Sequence, residues 1–247
     1  MPCGRLNHIY YLSMVIIAKC AGCETSVVAV GVDPIQGRFN RFWTRFVLEH
    51  WADHVSVRDE PSREALIHAG VNEPIDIVPD PVFELSIPRE GPHHAGIVLA
   101  LSPRRDRPQW SEEMAYLCDR LSGELAIPID LLVFFPPQDE AFSREIARYS
   151  SGVRRVRVWQ DPTDLLGWIP EYQLVVATRF HALVLAAMHH VPFIGWGRQK
   201  KVAWLCQTFK KPYRSMDEEW NFQSFYDLVV SEYKSVNKSV ILQTQIG

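Results

Sequence analysis

No stretch of this sequence is long and apolar enough to cross a bilayer. The longest apolar run near the start, Ile9 to Ala18, is broken by Ser13 and falls well short of the roughly 20 residues that a spanning helix needs. No small-residue cleavage site follows it, so a signal peptide is not expected. An excess of one charge is also missing: 26 Lys and Arg stand against 29 Asp and Glu, for a net charge of -3. That balance gives no ground for bulk nucleic-acid binding. Cysteine is scarce, with five residues at no framework spacing. A disulfide scaffold is therefore excluded, and a reducing, cytoplasmic setting is the default. Cys20 and Cys23 form a CxxC, but no further Cys or His pair stands near them at ligand spacing. The pair is read as a helix terminus that holds two cysteines. No metal cluster is visible, and no metal is expected to be required.

What is present is an ordinary globular composition, 47% hydrophobic and 22% charged over 247 residues. That is enough for one large or two small domains. Short apolar runs alternate with segments of helical period, which predicts βα units and a parallel, doubly wound sheet. Asn7 to Lys19 is apolar almost all round and predicts a buried helix. Ser26 to Val32 reads as a strand, and Gly31, Asp33 and Pro34 shape the turn at its carboxyl end. Arg38 to Trp51 reads as an amphipathic helix. Its apolar stripe holds Phe39, Phe42, Trp43, Phe46 and Val47, with Arg38, Arg41 and Arg45 on the other side. Such an arginine face suits lipid headgroups or an anionic glycan, but a solvated face is the preferred reading.

Arg58 follows the strand His54 to Val57, Asp59 or Glu60 suits the cap of the next helix, and Asp80 follows the strand Ile75 to Val78. Arg58 and Asp80 either pair structurally or line a site at the strand ends. Pro88 to His94 reads as a linker between two halves. Ser102 to Arg107, just past the strand Gly96 to Leu101, holds three arginines and is an anion-binding candidate, with a solvated basic loop as the competing reading. A last helix is expected over Trp220 to Val240.

Gln173 to Trp196 organises the second half. Leu174-Val175-Val176 predicts a buried strand. Thr178 is the expected N-cap of a helix, and Val191 to Gly195 restarts as a strand. Arg179 and His181 then fall in a first helical turn, where the helix dipole already disfavours a cation. An anion bound to the free N–H groups would account for both. The plainer alternative is an arginine held by a nearby carboxylate beside a capping histidine.

Five pieces in order carry a resemblance: Tyr10-Tyr11-Leu12 leading into an apolar helix, Val30-Gly31-Val32-Asp33-Pro34, Val55-Ser56-Val57-Arg58-Asp59 with Ser62, Pro79-Asp80-Pro81-Val82, and Thr178-Arg179-Phe180-His181-Ala182-Leu183 with Val191-Pro192-Phe193. Together they resemble the polysaccharide pyruvyl transferases, across essentially the whole chain. The resemblance implies an α/β fold of two Rossmann-like halves facing a cleft, in the GT-B manner. Residues 1–90 would form the acceptor side and 91–247 the donor side, with the last helix packing back on the N-terminal half. Two departures stand out. The family's opening strand, its Gly-Asn-x-Gly-Asp loop and a later glycine-rich turn are absent, so the first half is expected to be incomplete. The arginine that the family places directly after the first strand of the second half comes slightly later here, as Arg104.

The family moves an enolpyruvyl unit from phosphoenolpyruvate onto two sugar hydroxyls, forming a pyruvate ketal in cell-surface or exopolysaccharide biosynthesis. The resemblance thus assigns Arg179, His181 and Arg104 to phosphoenolpyruvate. His181 becomes the proton donor, and Asp80 or Asp59 the base for the sugar hydroxyl. Arg58, Gly31 and Asp33 would line the cleft. No cofactor is implied. The acceptor would be a saccharide or a lipid-linked saccharide, handled in the cytoplasm, with the inner face of the membrane as a place of peripheral contact. Two other readings stand beside this one: a GT-B glycosyltransferase using a nucleotide sugar, and a non-catalytic fragment or degenerate paralogue that binds glycan or a partner.

Overall fold

The computed structural model describes residues 4–85, 96–216 and 221–244. The linker expected at 88–94 lies outside them. The chain divides into two compact units, Met1–Leu85 and Ser86–Gly247.

The first unit holds α1 (Gly4–Cys20), β1 (Ser26–Val30), α2 (Arg38–His50), β2 (His54–Val57), α3 (Glu60–Ala69) and β3 (Asp76–Ile77), then a 3₁₀ turn over Pro81–Glu84. Its sheet has three parallel strands in the order β1-β2-β3. Leu12, Val47, Leu48, Val55, Val57, Leu66 and Val71 form its core. So small a sheet covers little surface, and this corrects the expectation for α1. Over residues 9–20 only Leu12 is buried, while Tyr10, Tyr11, Met14 and Ile17 stand exposed. An all-round apolar helix needs neighbours on every side, and here it has α2 and the core on one. Cys20 and Cys23 sit at the end of α1, both exposed, with the Cys23 N–H donating to the Ala18 carbonyl at 3.1 Å.

The second unit runs β4 (Ile97–Ala100), α4 (Trp110–Leu125), β5 (Ile129–Val133), α5 (Gln138–Tyr149), β6 (Val153–Val158), α6 (Thr163–Trp168), β7 (Leu174–Ala177), α7 (Phe180–Met188), β8 (Phe193–Gly197), α8 (Lys200–Thr208), β9 (Tyr213–Ser215) and α9 (Phe222–Thr244). Six parallel strands lie in the order β6-β5-β4-β7-β8-β9. Strands β4, β5, β7 and β8 are buried at every position. Helices on both faces require that, and it explains why these strands read as continuous apolar runs. The short strand β9 escaped the sequence reading because Tyr213-Arg214-Ser215 has too few apolar residues to register as a run. β6 is an edge strand and carries Arg154, Arg155 and Arg157, charges that blunt an edge against further pairing. Inside it, Asp130 of β5 is wholly buried but fully partnered: Arg154, Arg155 and the Tyr172 hydroxyl all donate to it.

Phe225, Tyr226, Val229 and Tyr233 of α9 are buried in the core of the second unit, where α9 packs on α4 and β7.

Gly195 shows how tightly the second sheet is covered. A Cβ there would come within 2.2 Å of the Cys206 sulfur and 3.1 Å of a Val202 methyl, so α8 rests directly on the β8 backbone. Burial pushes the Cys206 thiol up to about 11, which makes it an inert packing group. Gly195→Ala should destabilise the chain by about 1–3 kcal/mol through overpacking, read as a lower urea midpoint. Gly195→Ala combined with Cys206→Ala should recover part of the loss.

Candidate functional site

In the second unit the strand order reverses at β4 and β7, which are neighbours although β5 and β6 lie between them in sequence. In open α/β sheets such a switch point opens a crevice at the carboxyl ends of the strands. Ser102 and Thr178 leave these two ends and close the seam. The Ser102 N–H donates to the Thr178 hydroxyl at 2.8 Å, the two hydroxyls lie 2.9 Å apart, and the Thr178 N–H donates to the Ala100 carbonyl at 3.0 Å. Beside the seam lies a cavity of about 380 Å³, lined among others by Ser102, Arg104, Arg105, Thr178, Arg198 and Gln199.

The cavity is cationic, and its cations are held in place. Arg104 donates to Asp106 at 2.8 Å and lies over the Trp110 ring, 5.2 Å from its centroid. Arg198, from the loop after β8, donates to the same Asp106 oxygen at 2.6 Å. Hydrogen bonds from Arg104 and then Arg198 hold the Asp106 carboxyl well below the usual range. Arg105 is exposed and has no ion-pair partner among the described residues. Three arginines around one carboxylate leave the cavity with a surplus of positive charge.

The first turn of α7 lies next to this seam. Its N-cap is Arg179 rather than Thr178, because the Thr178 hydroxyl is taken up across the seam by Ser102 instead of folding back onto the helix. His181 is exposed in that turn, with its ring 5.6 Å from the Phe180 ring. Arg179 is committed elsewhere. Its Nε donates to Asp139 Oδ2 at 2.9 Å, its Nη2 donates to Asp139 Oδ1, and its guanidinium lies over Phe135. Asp139 is fully buried in the first turn of α5, where it also accepts the Phe135 N–H at 2.9 Å. The plainer alternative weighed from the sequence, an arginine held by a nearby carboxylate, is thus the observed state. This side-on pair engages Nε and Nη2 and ties the start of α7 to the start of α5.

In the first unit, Arg58, Asp59 and Asp80 do come together. Arg58 donates to Asp80 at 2.9 Å and lies 3.5 Å from Asp59. Gly31 roofs the guanidinium: a Cβ at this position would stand 2.4 Å from Arg58 Nη2, so only glycine lets the loop lie this close. Asp59 caps α3. It accepts the Ser62 N–H at 2.8 Å and the Ser62 hydroxyl at 2.5 Å, and it has 0% exposure. The Ser62 hydroxyl in turn accepts the Val32 N–H at 2.9 Å, which fixes the loop carrying Asp33. Asp59 is therefore a structural cap, and the catalytic role expected of it does not fit a carboxylate with no solvent-facing surface. Asp80 caps the 3₁₀ turn by accepting the Val82 N–H at 3.2 Å. Gly31 and Asp33 line a mostly apolar cavity of about 940 Å³, with Tyr11, Ile35, Gln36 and Asn40 on its walls.

The sequence reading missed Asp139 and Arg198 as parts of the site. The only signal was position: each lies just past the carboxyl end of a strand, or in the first turn of the helix that follows one. Among the described residues there is no group of three or more His, Cys, Asp or Glu that could hold a metal ion, and no helix long and apolar enough to cross a membrane.

Two substitutions test these assignments. Ser62→Ala should cost roughly 1–3 kcal/mol of stability by stripping a buried carboxylate and the Val32 N–H of a partner, measured by urea unfolding. Asp139→Asn should lower stability by more than Arg179→Gln, because Asp139 is wholly buried and also holds the Phe135 N–H. If the two substitutions are equal in effect, the Arg179 pair is the whole of the contribution.

The model of one protein family, polysaccharide pyruvyl transferase, matches residues 3–199. No curated protein matches the sequence. Solved structures match at low identity. One, from Listeria monocytogenes and assigned as a UDP-N-acetylglucosamine 2-epimerase, is 11% identical with a TM-score of 0.66, covering 90% of this chain and 63% of its own. The UDP-GlcNAc 2-epimerase of Methanocaldococcus jannaschii, solved with UDP-GlcNAc and UDP, is 13% identical with a TM-score of 0.58, covering 95% and 72%. HepE of Anabaena, solved with UDP, is 12% identical with a TM-score of 0.55, covering 97% and 77%. The chain thus spans under two thirds of the Listeria protein. At these identities the likeness establishes the fold, an α/β architecture of the GT-B class with parallel sheets. The family match covers most of the sequence, including both arginine-bearing strand ends and the first turn of α7, and by it the chain belongs to the polysaccharide pyruvyl transferase family.

Proposed function

We propose that this chain transfers the enolpyruvyl unit of phosphoenolpyruvate onto two hydroxyls of a saccharide acceptor, free or lipid-linked, and forms a pyruvate ketal. The observation that supports this most is the surplus of arginines at the switch point of the second sheet. Phosphoenolpyruvate is compact and carries a phosphate and a carboxylate close together. Planar guanidinium forks match both groups, and the cavity beside Ser102 and Thr178 presents Arg104, Arg105 and Arg198. The N-terminus of α7 adds backbone N–H groups and the positive end of its dipole.

In this reading His181 gives a proton to the methylene carbon of the donor as a sugar oxygen bonds to the adjacent carbon. The phosphate then leaves as the second hydroxyl adds. Two hydroxyl protons are accounted for: one ends on the new methyl group and one on the departing phosphate. Arg179 acts through Asp139 by fixing the first turn of α7. No cofactor is needed for this chemistry.

Phosphate release from phosphoenolpyruvate in the presence of acceptor glycan is the direct assay. Arg104→Ala should raise KM for the donor about tenfold to a hundredfold, the value of a charged hydrogen bond. His181→Ala should lower kcat by about 10²–10⁴-fold, the usual worth of a general acid. Unchanged turnover in both variants would remove the site from consideration.

A further inference from the structure

The first unit carries a second feature that the proposed reaction does not use. On α2, Phe39 and Phe42 are each 62% exposed. Their rings stack on half-buried partners, Phe39 on Trp43 at 6.4 Å and Phe42 on Phe46 at 6.0 Å, so an aromatic stripe runs from the core out into water. The sequence pattern suggested an apolar face turned inward with solvated arginines behind it. The structure leaves the outer half of that face uncovered. The neighbouring helix α1 packs on α2 and exposes Tyr10, Tyr11, Met14 and Ile17. Single exposed apolar residues need no explanation, but six large ones on two adjacent helices mark an interaction surface.

The charges around this surface say what kind of partner it fits. Helix α1 has no Asp or Glu, and α2 has only Glu49, which Arg45 holds at 2.9 Å. Arg38 and Arg41 are exposed and have no ion-pair partner among the described residues. Arg38 lies one helical turn from Phe42 and so stands on the Phe42 side of α2, not opposite the stripe as the sequence pattern suggested. A net-basic aromatic patch on a protein of net charge -3 would repel a second copy of itself. It is complementary to a surface both apolar and anionic. A bilayer interface with acidic headgroups has that combination: phenylalanines enter the headgroup–acyl boundary while arginines meet phosphates.

We propose that α2, with α1 beside it, docks this protein onto anionic membrane surfaces. Phe39 and Phe42 insert, and Arg38 and Arg41 contact the lipid phosphates. This does not depend on the pyruvyl-transfer reading. The contact is peripheral, with two short anchors and two charges, so it is reversible and sensitive to salt.

The test is flotation of the full chain with lipid vesicles. Vesicles of phosphatidylcholine with about one third phosphatidylglycerol should carry the protein, and pure phosphatidylcholine vesicles should not. About 1 M salt should release it, because the Debye length there falls to ~3 Å. Arg38→Gln with Arg41→Gln should weaken partition by about tenfold or more. Phe39→Ser with Phe42→Ser should abolish it. These side chains are exposed, so circular dichroism melts of both variants should match the wild type and separate lost docking from lost folding. Absence of binding to acidic vesicles would overturn the proposal, as would binding that both variants retain. A lipid-free dimer that the phenylalanine variant dissociates would also overturn it, by showing that a second copy covers the face.

Discussion

Most arginines at the strand ends of each unit are held by a carboxylate, and the rest of the arrangement depends on that. A long guanidinium side chain left to itself samples many rotamers and presents no defined geometry to a ligand. Here Asp106 fixes Arg104 and Arg198, Asp139 fixes Arg179, and Asp80 with Asp59 fixes Arg58. The ratio of the two charges then decides what each cluster can do. Around Arg179 the pairing is one to one, which makes a strut between α5 and α7. Around Asp106 two arginines share one half-exposed carboxylate, with Arg105 beside them, which leaves the cavity a surplus of oriented positive charge. In the first unit two carboxylates meet one arginine under the Gly31 backbone, and the cluster is a rigid support for the loop above it.

This ordering depends in turn on the sheet. Fully buried strands put every side chain of β4 and β7 into packing, so polar residues can appear only where the strands end. Ser102 and Thr178 are the first polar residues past those ends, and they bond to each other. The arginines follow within two or three residues on loops that the seam has already positioned. The first unit has far less of this support. Three short strands and three helices leave much of α1 and the outer face of α2 in water, and that surface is where the proposed docking lies.

Most of the fold was legible in the sequence because it rests on period and punctuation. The βα alternation, the continuous apolar strands of the second sheet and the cap at Asp59 all follow from local chemistry. The exposure of α1 was not legible. It depends on how much surface the neighbouring sheet offers, which no local pattern encodes. At the site, sequence placed Arg104, Arg179 and His181 at strand and helix ends correctly but could not tell a strut from a ligand. That distinction turns on Asp139, forty residues earlier in the chain, and on Asp106 being shared with Arg198. Thr178 shows the same limit. Its residue type favours an N-cap, and a hydrogen bond to Ser102 across the seam takes its hydroxyl away.

Under the proposed function, the arginine-lined cavity of the second unit receives a compact donor with two anionic groups rather than a nucleotide. Isothermal calorimetry of the full chain with phosphoenolpyruvate and, separately, with UDP tests this most directly. The account predicts saturable binding of phosphoenolpyruvate, weakened by Arg198→Ala, and no measurable heat with UDP. Binding of UDP without binding of phosphoenolpyruvate would contradict it and point to a nucleotide-sugar enzyme instead.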